Sequence, residues 1–119
     1  MKYMLLIYLD EQAAVDDAER QHCYEESTRL AQELNVNGQF LASAPLQPTS
    51  TATCVRVRDG KRMVTDGPFT ETREQLGGYF LVDAKDLDGA IGIAARIPGA
   101  RAGAVEIRPV IEIPALPKN

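Results

Sequence analysis

The chain has one histidine and two cysteines in 119 residues. The cysteines, Cys23 and Cys54, fit neither a zinc-ligand spacing nor a Cys-x-x-Cys redox motif. With no metal-ligand cluster, phosphate loop or nucleophile elbow in the sequence, no metal and no cofactor is expected. Each cysteine reads as a small buried hydrophobe, Cys23 on a helix and Cys54 on a strand. That usage suits a reducing cytoplasm. Positive charge is also short: 13 Lys and Arg stand against 17 Asp and Glu, a net charge of −4. The basic residues are scattered, and a nucleic-acid partner would need them in a stripe. No apolar run is long enough to span a membrane. The opening "MKYMLLIYLD" carries too short an apolar run for a signal peptide, with acidic residues directly after it and no small-residue cleavage site. It reads as a first strand.

The length suits one compact domain with a core that needs no staples. A hydrophobic fraction of 45% and a charged fraction of 25% are those of a globular protein. Residues 1–112 form the expected domain, and 113–119, "IPALPKN", a Pro-rich tail, extended or loose.

Lys2 to Leu9 predicts a strand covered on both faces, with Tyr3, Leu5, Ile7 and Leu9 on one side and Met4, Leu6 and Tyr8 on the other. Asp16, with Glu19 three residues on, predicts a helix start, and Asn37-Gly38 its stop. Cys23, Ser27, Leu30 and Leu34 line the apolar stripe of that helix. Gln39–Leu46 and Thr51–Arg58 read as strands. Asp59-Gly60 is a strong two-residue hairpin signal, and Lys61–Thr65 returns from it. Gly77–Asp83 is a further strand. Asp86 caps a second helix that reaches Ile97 and ends at Pro98-Gly99, with Leu87, Ala90, Ile91 and Ala94 inward. Ala104–Ile111 is the last strand.

This order predicts an α+β fold: a ferredoxin-like split βαβ with an inserted β-hairpin and an antiparallel sheet. Right-handed crossovers put both helices on one face. The other face is then bare, yet the first strand is apolar there too. The simplest cover is a second copy of the chain, stacked sheet to sheet about a two-fold axis.

In "VTDGPFTETREQLGGYF" the chain makes a built corner. Pro68 fixes its own φ and lacks a donor, so strand pairing must pause. Gly67 has conformations open to it that other residues lack. Asp66 is placed to accept turn amides, and Phe69 to plug the corner. The stretches "MKYMLLIY", "TATCVRVRDG", "VTDGPFTETREQLGGYFLVDAKDLDGAI" and "GAVEIRPV" together resemble the YCII-related family, in its DGPF-domain branch. The resemblance covers nearly the whole chain. It implies the ferredoxin-like fold paired as a dimeric α/β barrel. It also implies a mostly uncharacterised activity: some relatives are implicated in dehydrochlorination of ring-cleavage products, and others lie near alternative sigma factors. Many relatives carry a histidine where this chain has Ala102. The better-known ones are thought to use a His–Asp pair, and His22 does not map clearly onto that histidine.

The candidate catalytic residues are Asp66, as proton acceptor, and His22. Phe69, Tyr79, Tyr8 and Arg108 are candidate contacts for a small anionic ligand, the arginine through its planar fork. Each has a plainer role beside it. Asp66 can be a turn brace and His22 a solvated helix residue next to Glu25 and Glu26. The tyrosines can be packing, and Arg108 a surface partner of Glu106 or Glu112. The function implied is a small-ligand-binding dimer with lyase- or isomerase-like acid–base activity. The alternative is a non-catalytic dimeric binding or regulatory module.

Overall fold

The computed structural model describes residues 1–13 and 15–117. In chain order the elements are β1 (Lys2–Leu9), α1 (Asp17–Val36), β2 (Phe40–Pro45), β3 (Thr53–Arg58), β4 (Lys61–Asp66), β5 (Gln75–Asp83), α2 (Leu87–Ala94), α3 (Gly99–Ala102) and β6 (Ala104–Pro109), with a 3₁₀ turn at Thr49–Thr51. Four strands make one antiparallel sheet in the order β2-β5-β1-β6, open at both edges. This is the expected ferredoxin-like α+β arrangement. Strands β3 and β4 pair only with each other, as a separate two-stranded sheet. Among the described residues, no helix is long and apolar enough to cross a membrane.

Strand β1 is the hub, because both its edges are paired: Leu5 lies opposite Phe80 on β5 and Ile107 on β6. Its side chains alternate as the sequence predicts. Tyr3 and Leu5 are buried under the helices with Phe80, Val82, Leu30 and Leu34, and Ile7 and Ile107 pack against them. Each such fully buried side chain favours the folded state by roughly 1.5–3 kcal/mol.

Helix α1 starts where Asp16 accepts from the Glu19 amide at 2.7 Å. Its buried residues are Leu30 and Leu34, so only the C-terminal half lies on the core. The stripe predicted to begin at Cys23 therefore fails at its first member. Cys23 is exposed, because the first two turns of α1 are solvated all round. Helix α2 is capped by Asp86, which accepts from the Gly89 amide at 2.9 Å. The inward residues here are Ala90, Ile93, Ala94 and Ile97, whereas Leu87 and Ile91 stand half exposed. The correction is a rotation: the small Ala90 lets the helix close on the sheet, and the i, i+3, i+4, i+7 set from it makes the contact. The helix also stops before Ile97, and Pro98-Gly99 opens α3 rather than ending α2.

Glycines set two close approaches. Gly99 presses α3 onto Ile7, and Gly103 presses the α3–β6 junction onto the Tyr8 carbonyl, where any side chain would collide with main chain. At the hairpin, Asp59 (φ 51°) and Gly60 (φ 74°) are both left-handed, the primed turn that "DG" predicts. Residues 110–117 run on from β6 without regular structure, tied by the Val110 amide to the Lys2 carbonyl at 2.9 Å.

Gly103→Ala is expected to lower the free energy of unfolding by about 1–3 kcal/mol, since a backbone carbonyl cannot yield as a side chain can. Gly92→Ala, which meets nothing within 4 Å inside α2, is expected to raise it by about 0.5–1 kcal/mol. Urea denaturation of the two variants side by side checks the pair, and equal midpoints would contradict it.

Candidate functional site

The bare face of the sheet comes first. Register places Met4 opposite Leu81, Leu6 opposite Tyr79, and Ala44 opposite Tyr79 on the far side. All are half-buried, and among the described residues no helix packs on them. Tyr8 lies opposite Leu76 and Ala104, past an irregularity where β5 spends an extra residue at Gly77. Tyr8 and Tyr79 are therefore diagonal neighbours across β1 and β5. Arg108 lies opposite Met4 on the outer strand β6 and reaches Glu106 at 3.5 Å. Met4 and Tyr8 are four residues apart on one strand, about 13 Å. The structure thus groups Tyr8 with Tyr79 and sets Arg108 toward the other end of the face, with Leu6 and Glu106 between. Glu112, the other partner considered for Arg108, pairs with Lys2 at 3.5 Å.

The hairpin corner is the second part. The expected brace, the Asp66 carboxylate on turn amides, is not the one the chain uses: among the described residues that carboxylate accepts no hydrogen bond. The Gly67 amide donates to the Ala52 carbonyl at 2.7 Å, and the Cys54 thiol to the Gly67 carbonyl at 3.2 Å. Gly67 has φ of 99°, which only glycine adopts freely. Phe69 does not plug the corner as expected: it is 71% exposed, and what it meets is the Arg56 guanidinium, 4.9 Å from its ring centre. Beyond it, Gln75 Nε2 donates to the carbonyls of Thr70 and Thr72 and pins the following loop.

His22 belongs to neither part. It lies on the second turn of α1, on the helix side of the sheet, and no hydrogen bond joins it to Asp66. One turn on, Glu26 lines an open groove of about 320 Å³ with Arg29, Leu30, Glu33, Arg96 and Arg101. Arg101 donates to both carboxylate oxygens of Glu26, at 2.9 and 3.0 Å, and Arg96 pairs with Glu33. The bonds from Arg101 hold the Glu26 carboxyl below its ordinary value, partial burial opposes this, and the charges of Arg101, His22 and Arg29 add to the lowering. The same pair raises Arg101. The Arg101 bridge clips α1 to α3, and the Arg96 bridge clips it to the connection between α2 and α3. The clip escaped the sequence reading because its partners are 75 residues apart; the one available signal was the His22–Glu26 spacing along a helix. Ala102 is the last residue of α3, next to Arg101. Among the described residues, no three His, Cys, Asp or Glu side chains converge as a metal site would need.

A ferredoxin-like sheet with one bare face and a hairpin set between β2 and β5 defines the class of protein. The model of the YCII-related domain matches residues 1–114. An uncharacterised protein of Rhizobium meliloti (strain 1021) is 33% identical over 114 residues, covering 92% of both chains. The chain belongs to the YCII-related domain family.

Because its carboxyl is depressed, Glu26 contributes to stability fully above the ordinary carboxylate range, and loses that contribution only as pH falls through the lowered value. Arg101→Ala is expected to bring the Glu26 titration back up toward the ordinary range. Carboxyl NMR chemical shifts followed against pH check this, and an unmoved midpoint would show that Arg101 is not the cause.

Proposed function

We propose that the protein works as a two-fold homodimer, its sheets stacked through their bare faces as a dimeric α/β barrel, and that it binds a small anionic ligand there. The observation that carries this reading is the uncovered run Met4, Leu6, Tyr8, Tyr79 and Leu81. A contiguous apolar face of this kind is rare on a monomer and is the usual mark of an interface. A second copy is the simplest cover, because a two-fold contact asks only that a surface match itself. On that face Tyr8 and Tyr79 supply ring surface and hydroxyls. Arg108 supplies charge to a ligand long enough to cross Leu6. Phe69, at the corner, is the remaining ligand contact.

The "DGPF" string at Asp66–Phe69 supports the DGPF branch of the family, and unpaired cysteines suit a cytoplasmic setting. In the catalytic form of the reading, Asp66 takes a proton in lyase- or isomerase-like chemistry, without a cofactor and without His22, which lies on the helix side of the sheet. A carboxylate engaged in no hydrogen bond favours availability for such a role. In the other form the dimer is a binding or regulatory module, linked to an alternative sigma factor, and the corner is architecture.

Sedimentation equilibrium at micromolar concentration is expected to give twice the mass of one chain, and a well-folded monomer would sink the reading. A thermal-shift panel of mono- and dicarboxylates is expected to contain an acid that raises Tm in the wild type and not in Arg108→Ala. With that acid, Asp66→Asn separates the two forms: binding kept with turnover lost supports chemistry, and no turnover in the wild type leaves the binding module.

A further inference from the structure

The β3–β4 hairpin is an arm. It shares no strand with the main sheet. The radius of gyration is 16.1 Å, against about 13–14 Å for a compact chain of this length. A lone two-stranded hairpin is marginal in water, so its survival needs a further contact.

Its two faces differ. The Cys54, Arg56 and Met63 face is mixed: Cys54 is half-buried and bonds Gly67, Arg56 meets Phe69, and Met63 is 49% exposed. The other face carries Val55, Val57 and Val64, which are 61%, 62% and 56% exposed. The register puts Arg62 opposite Val57 toward the tip, and Asp66 opposite Thr53 at the base. An apolar centre thus lies between a cation at one end and an anion at the other. Turned about a two-fold axis and laid on itself, such a face matches itself: valine meets valine, and each Arg62 meets the Asp66 of the other copy. Within one arm the two charges are four residues apart on one strand, about 13 Å, and do not meet.

We infer that the valine face of the arm is a contact surface for a second copy of this chain, arm against arm, extending the sheet-to-sheet interface. This rests on the homodimer reading above. Area favours one continuous interface. Four strands and about six paired residues give a sheet face of roughly 400 Å² per copy. Doubled, that falls short of the roughly 1,200 Å² of a stable specific interface. Each arm adds about 200 Å², which brings the total to that threshold. An Asp66 paired in this way is a poorer base, so the contact goes with the binding or regulatory form of that reading.

The test is a dimer dissociation constant from sedimentation velocity over a dilution series. Val55→Thr/Val57→Thr keeps the β-branching that holds the hairpin and is expected to raise the constant at least tenfold. Arg62→Asp and Asp66→Arg are each expected to weaken the dimer at least fivefold. The double exchange Arg62→Asp/Asp66→Arg is expected to return to within threefold of the wild type. Far-ultraviolet circular dichroism of each variant, matching the wild type, shows that the fold is kept. A dimeric wild type with unchanged constants in the valine and charge variants would overturn the arm contact and leave the sheet dimer standing. A monomeric wild type would overturn both.

Discussion

The structure depends on β1, which like β5 has no free edge and which is apolar on both faces. Hydrogen bonds to β5 and β6 satisfy its backbone on both sides, which lets it carry apolar residues throughout without leaving buried donors or acceptors unpaired. One face is closed by the chain itself, through Leu30, Leu34, Phe80 and Val82 around Tyr3 and Leu5. The helices cannot close the other, because right-handed crossovers commit both to the same side. What is unfinished in the monomer follows from that commitment.

Local chemistry was legible wherever it is self-contained. Asp16 and Asp86 cap their helices, Asp59-Gly60 turns the hairpin, and the alternation along β1 assigns each side chain to its face. Misreadings came where distance in sequence hides a neighbour. Cys23 fits the apolar stripe of α1 by spacing, but no sheet lies beneath the first turns of that helix. The α2 face was misjudged because spacing alone cannot say which side of a short, alanine- and glycine-rich helix is pressed inward. The Glu26–Arg101 clip joins elements far apart in the chain. Of the candidate site, its spread was the illegible part: Tyr8, Tyr79 and Arg108 share a face, Asp66 and Phe69 belong to the hairpin, and His22 stands beyond the helices.

The Asp66–Phe69 corner gains a physical account from this. Proline halts pairing, Gly67 takes a conformation closed to other residues, its two backbone groups fasten the hairpin base to Ala52 and Cys54, and Phe69 turns back over Arg56. The corner fastens the base of an otherwise unsupported pair of strands.

The pairing of β1 also bears on how the chain comes into being. Its two partners are the last two strands of the sheet, far along the chain from it: Leu5 lies opposite Phe80 and Ile107. During synthesis this apolar strand emerges well before either partner and stays unpaired at least until β5 has left the ribosome. Non-local pairing of that kind makes for slow folding and long exposure of sticky backbone. The nascent chain is therefore most vulnerable at β1, and chaperone protection matters most there.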